Sequence, residues 1–194
     1  MNSPDQINEM AGIKYWTIPG LAGSNAAHWQ TIWEQLRPGD FNRVEQDNWD
    51  WPVMTEWTKR LNDRLLQASS PVILVAHSMG CLTAVHWSRH YASEKVVGAL
   101  LVAPADAEQS ERLSFVEGFA PIPIQKLPFP TVVVASTNDR YMTAGRAAYF
   151  AEKWGSEFIE VGEQGHINAS SGLGDWSFGQ RVLKDLTNKV KPTK

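Results

Sequence analysis

Short apolar runs alternate with amphipathic stretches along most of the chain. Residues 13–18 predict a first strand, stopped by Pro19 and Gly20. Residues 26–36 follow, with Trp29, Ile32, Trp33 and Leu36 at the i, i+3, i+4, i+7 spacing of one helical face. Asn25 or Ser24 is placed to cap that helix, and Pro38 with Gly39 ends it. Residues 43–46 predict a weak second strand, and residues 54–66 return to helical spacing through Trp57, Leu61 and Leu65. The unbroken apolar run 72–76 predicts a strand covered on both faces. A helix over 79–91, a buried strand over 96–103 and a strand over 131–136 come next. Then come a helix over 143–154 with Thr143 as its cap, a short strand over 158–161, and a closing helix carrying Phe178, Val182, Leu186 and Val190. Such alternation implies right-handed βαβ units, hence an α/β fold with a mostly parallel six-stranded sheet and helices on both faces. Residues 104–130, with Pro121, Pro123, Pro128 and Pro130, are the one irregular stretch and are too short for a second domain.

Composition narrows the picture without redrawing it. A chain of 194 residues, 43% apolar and 20% charged, is expected to form one globular domain (1–194) with its core over about 13–190 and a frayed tail at 191–194. A net charge of −3 offers no basic excess to neutralise phosphates, which argues against nucleic acid as a partner. The single cysteine, Cys81, excludes an intramolecular disulfide and a cysteine-cluster metal site. The opening MNSPDQINEMAGIKYW lacks the apolar run of a signal peptide, and no stretch is long and apolar enough to span a bilayer, so a cytoplasmic protein is expected. The nine tryptophans read as core filler or as walls of a cavity.

Chemistry enters at Ala76-His77-Ser78-Met79-Gly80, between a buried strand and a helix. That context gives the G-x-S-x-G nucleophile elbow its meaning: a turn so tight that small residues must flank a strained serine. Ala76 stands where the motif has glycine, one methyl larger. A serine hydroxyl is a weak nucleophile until a neighbouring base takes its proton. His166, in a glycine-bearing loop after the last strand, is the candidate base. Asp139, after the strand 131–136, is the candidate acid, with Asp106 as its rival. The order Ser78, Asp139, His166 is that of α/β-hydrolases. With a strand order of 2-1-3-4-5-6, the switch point lies between strands one and three, so the loop 19–24 faces Ser78. The backbone N–H groups of Leu21 and Met79 are then the candidate oxyanion donors, with Gly20 letting the loop turn toward the serine. His86 and His90 lie one turn apart, but without H-E-x-x-H and with no third ligand they read as helix-face residues, so no metal and no cofactor are expected.

The segments IPGLAGSNAAHWQ, VEQDNWDWP, ILVAHSMGCLTAVHW, LLVAPAD, STNDRYM and GEQGHINASSGLGDW resemble the small serine hydrolases of the retinoblastoma-binding protein nine or YdeN-like family. The likeness runs from about residue 13 to residue 176. It implies a compact α/β-hydrolase fold without the usual first two strands and without a large lid. It further implies a triad of Ser78, Asp139 and His166 and hydrolysis of small esters or amides. The L-x-C-x-E segment associated with retinoblastoma binding is absent around Cys81, which has Met79 two before it and Thr83 two after, so that partner is not implied. Trp49 and Trp51 are expected to wall a substrate pocket, with Phe115 and Phe119 as a shallow cover. The alternative on the same fold is a non-catalytic binding or regulatory protein, told apart by an unreactive Ser78.

Overall fold

The computed structural model describes residues 12–190. The readings of the opening segment and of the tail at 191–194 therefore fall mostly or wholly outside the described residues. β1 (Lys14–Ile18), β2 (Phe41–Arg43), β3 (Val72–His77), β4 (Val96–Val102), β5 (Thr131–Ala135) and β6 (Glu157–Glu160) form one sheet in the order β2-β1-β3-β4-β5-β6. Every neighbouring pair is parallel. Helices α1 (Trp29–Leu36), α2 (Met54–Leu66), α3 (Met79–His90) and α4 (Ala144–Trp154) supply every crossover except that from β4 to β5, and α5 (Ser177–Val190) follows the last strand. No helix among the described residues is long and apolar enough to cross a membrane.

The period-two alternation of the central strands decides the two layers. Leu74, Ala76, Leu101 and Val133 point to the face covered by α2, α3 and α4, joined there by Trp57, Leu61, Phe150 and Trp154. Ile73, Val75, Leu100 and Val134 point to the opposite face, under Trp29 and Trp33 of α1 and Leu183 and Leu186 of α5. The irregular stretch 104–130 contributes Leu113, Phe119, Ile122, Leu127 and Phe129 to the first layer. Burying one such side chain contributes about 1.5–3 kcal/mol.

Two local expectations are corrected. The second strand occupies Phe41–Arg43, earlier than 43–46, because Phe41 is the residue that finds a place. Its ring is buried and stacks on Tyr15 with centroids 4.9 Å apart, which sets the register Tyr15 to Phe41 and Thr17 to Arg43. Helix α1 begins at Trp29, not 26, and His28 is its cap, Nδ1 accepting from the Gln30 N–H. Both residues expected to cap are engaged elsewhere: Asn25 closes a turn onto Ala27 N–H at 3.0 Å, and Ser24 donates to Gln30 Oε1 at 2.6 Å. Thr143 does cap α4 as expected, accepting from Arg146 N–H.

Candidate active site

β3 passes into α3 through Ser78, whose φ of 55° and ψ of −123° lie where a residue with a Cβ is strained. The surroundings hold it there. Its N–H donates to Val102 O at 3.1 Å, and α3 packs end-on against β1. That approach requires glycine at position 80, where a Cβ would stand 2.0 Å from the Ile18 carbonyl oxygen. Gly20 does the same for the loop after β1: a Cβ there would meet the Ser78 Cβ at 2.7 Å and Oγ at 3.1 Å. The loop and the elbow are thus in van der Waals contact. Among the described residues, neither Leu21 N–H nor Met79 N–H donates a hydrogen bond to a protein acceptor. Met79 opens α3, where the first amides have no intrahelical partner and the helix dipole is positive.

Ser78 Oγ lies 2.8 Å from Nε2 of His166, and Nδ1 of His166 lies 2.7 Å from Oδ2 of Asp139. The other Asp139 oxygen accepts from Tyr141 N–H at 2.8 Å. An imidazole that donates to a carboxylate through Nδ1 presents its Nε2 lone pair to the hydroxyl. The loops that bear Asp139 and His166 are tied together. Thr137 N–H and Ser136 Oγ both donate to Gly162 O, and Ser136 Oγ accepts from Gln164 N–H. Asn138 Oδ1 accepts from Gly165 N–H at 2.7 Å. Four hydrogen bonds therefore hold the two loops to each other.

Asp106 does not meet His166. Its carboxylate takes Arg146 side-on, at 2.7 Å from Nε and 3.0 Å from Nη2, and also accepts from the Glu108 and Gln109 N–H groups. His86 is buried and donates to Phe119 O at 3.0 Å, whereas His90 is exposed. Burial pushes the His86 pKa down. No group of three or more metal-ligating side chains occurs among the described residues. Cys81 is buried, and burial raises its thiol pKa well above the ordinary value, so it stays a neutral thiol against Val102 O.

The serine hydrolase family profile matches residues 15–185. This chain belongs to the serine hydrolase family. The fold of the hydrolase is similar to that of a YdeN-like hydrolase from Pectobacterium atrosepticum, 33% identical, with 96% of this chain and 97% of that one covered and a TM-score of 0.84. It is also similar to the ydeN gene product from B. subtilis, 19% identical, covering 90% and 98% of the two chains at a TM-score of 0.75. A thermophilic esterase from Thermogutta terrifontis shares the fold at 14% identity, 93% and 91% coverage and a TM-score of 0.68. No curated protein matches the sequence.

In the hydrolase, the pocket residues expected from sequence divide. Trp49 adjoins the loop after β1: its carbonyl accepts from Ala22 N–H at 3.0 Å, and a Cβ on Gly23 would meet its ring at 3.5 Å. Trp51 is 63% exposed and meets the half-exposed Phe115 edge to face, centroids 5.3 Å apart. The two segments are joined by backbone hydrogen bonds from Glu117 N–H to Pro52 O and from Met54 N–H to Glu117 O. Phe119 does not serve as a cover: it is fully buried, edge-on to Trp57 and His86, because the chain turns inward after Gly118.

Several residues that hold the site escaped the sequence reading. His77 Nε2 lies 2.9 Å from the His166 carbonyl oxygen, and the Trp29 indole N–H donates to the next carbonyl, that of Ile167, at 2.9 Å. Tyr141 lays its ring 4.4 Å from that of His166. Seven of the nine tryptophans are buried, Trp49 and Trp51 being the others, and their indole N–H groups reach into loops: Trp33 to Asp175 O, Trp57 to Asn48 O, Trp154 to Pro123 O. A tryptophan in this core is thus also a loop anchor.

Proposed function

We propose that the protein hydrolyses small carboxylic esters through a Ser78-His166-Asp139 triad and an acyl-enzyme. Two hydrogen bonds carry the proposal: Ser78 Oγ to His166 Nε2 at 2.8 Å, and His166 Nδ1 to Asp139 Oδ2 at 2.7 Å, on a serine in strained backbone. Ser78 attacks the substrate carbonyl while His166 takes the hydroxyl proton. Asp139 keeps the imidazole in its Nδ1–H tautomer and stabilises the imidazolium as it forms. The Leu21 and Met79 N–H groups receive the oxyanion, each contributing about 3–4 kcal/mol to the transition state. His166 protonates the leaving alkoxide, then draws a proton from water as the water attacks the acyl-enzyme, and returns it to Ser78 Oγ as the carboxylic acid leaves.

Esters are favoured over amides because an alkoxide leaves with less help from the protonated imidazole. Trp49, Trp51 and Phe115 supply an apolar edge for the acyl or alcohol part. With no large lid over that edge among the described residues, modest acyl groups suit it better than long lipids. Turnover of p-nitrophenyl esters by wild type and Ser78→Ala tests the reading. Loss of activity in the variant is expected, and undiminished turnover overturns it.

A further inference from the structure

Three imidazoles lie in a row where β1 and β3 diverge. The rings of His28 and His77 are 4.7 Å apart, and those of His77 and His166 are 4.9 Å apart. His77 is buried, and its Nε2 is the only group among the described residues that hydrogen-bonds the His166 carbonyl. A carbonyl only accepts, so His77 must carry its proton on Nε2. The following residue, Ile167, is fully buried with φ of 46°, a conformation that a β-branched side chain disfavours. Its carbonyl is held in turn by the Trp29 indole. Two consecutive carbonyls at the base are therefore clamped by buried donors, one from β3 and one from α1, against a backbone that would otherwise relax. His28 packs behind the clamp, its Nδ1 spent on the Gln30 N–H and its Nε2 buried without a hydrogen-bond partner.

We propose that His77 is a positioning residue: through its hydrogen bond to the His166 carbonyl it holds the His166 imidazole in line with Ser78. The inference rests on the reading of Ser78 and His166 as nucleophile and base. Its physical content is economy of registration. The nucleophile and the donor to the base's carbonyl are adjacent residues of one turn, so one side chain ties the position of Nε2 to that of Oγ. A displacement of about 1 Å at such a gap costs on the order of a hundredfold in rate.

The test compares His77→Leu, which keeps the bulk and loses the donor, with His77→Gln, which restores an N–H. Thermal unfolding of each variant accompanies kcat and KM on p-nitrophenyl acetate. The expected result is a folded His77→Leu with kcat down about 10- to 100-fold and KM within about twofold of wild type, and a His77→Gln that recovers most of the loss. The downfield Nδ1–H resonance shared by His166 and Asp139 should weaken in the first variant and return in the second. Long-range nitrogen–proton NMR of the wild type adds a measurement that needs no variant and should find neutral His77 protonated on Nε2. A kcat for His77→Leu within about twofold of wild type, equal losses in both variants, or an Nδ1–H tautomer at His77 overturns the proposal. A wild type that neither turns over ester nor reacts with a fluorophosphonate instead defeats the hydrolase mechanism, and the His77 tautomer can still be read independently.

Discussion

At position 80 a single methyl would lie 2.0 Å from the Ile18 carbonyl oxygen, and neither partner is a flexible side chain that can step aside. Gly80→Ala must therefore push α3 away from β1, carrying Ser78 with it. Urea unfolding should report a loss of about 1–3 kcal/mol, with ester turnover falling more steeply than stability. The two carboxylates near the site should separate by the same pair of measurements. Asp139→Asn keeps the shape but offers His166 the wrong partner, so kcat should fall on the order of ten-thousandfold with little change in Tm. Asp106→Asn weakens the buried side-on pair with Arg146, so stability should drop by about 1–3 kcal/mol while kcat holds. Residues of this first kind were legible in the sequence. Ser78, Asp139 and His166 are distinctive types in distinctive strand-end contexts, the types that the proposed chemistry demands. His77, Trp29 and Asn138 were not legible, because they act on backbone groups, which every residue presents alike.

At the scale of elements, the strands and helices of the central sheet follow from apolar periodicity, since β3, β4 and β5 are covered on both faces. The misplaced elements are short and sit near polar turns. For β2, Pro38 and Gly39 conceal that a strand starts at Phe41, whose ring stacks on Tyr15, far back along the chain. For α1, the polar side chains of Ser24, Asn25 and His28 compete for one cap, and the outcome depends on where Gln30 is pulled by β1 and β3. His28 at that cap and His77 at the end of β3 couple these elements to pH. Burial, with the positive charge of Arg43 and that of His166 when protonated, lowers His28 from 6.5 to about 3. Burial, with His28 and His166 beside it, also holds His77 well below 6.5. The folded state thus keeps both neutral while the unfolded chain takes up protons. Their contribution is full above about pH 6.5 and is lost as pH falls below it, down to about 3 for His28, by up to about 1.4 kcal/mol per pH unit for each histidine. Urea midpoints between pH 8 and pH 5 should show this slope. His28→Asn, which retains a cap acceptor, should lower the slope by about one proton.

For the molecule as a whole, the topology turns separate sequence signals into one site. The order β2-β1-β3-β4-β5-β6 places the loop after β1 against the turn after β3, and the linked loops after β5 and β6 bring Asp139 and His166 to the same edge. The exposed Trp51–Phe115 pair, on two segments joined by backbone hydrogen bonds, is the apolar surface that the proposed function assigns to the substrate. A p-nitrophenyl ester series should accordingly give its highest kcat/KM at short acyl chains and decline for long ones, whereas a maximum at long chains would reveal an acyl channel this surface does not supply. The most direct measurement is reaction with a fluorophosphonate probe followed by mass spectrometry of the labelled peptide. A covalent adduct on Ser78 in wild type, absent from both Ser78→Ala and His166→Ala, is the predicted result, and a wild type that stays unlabelled while folded contradicts the account.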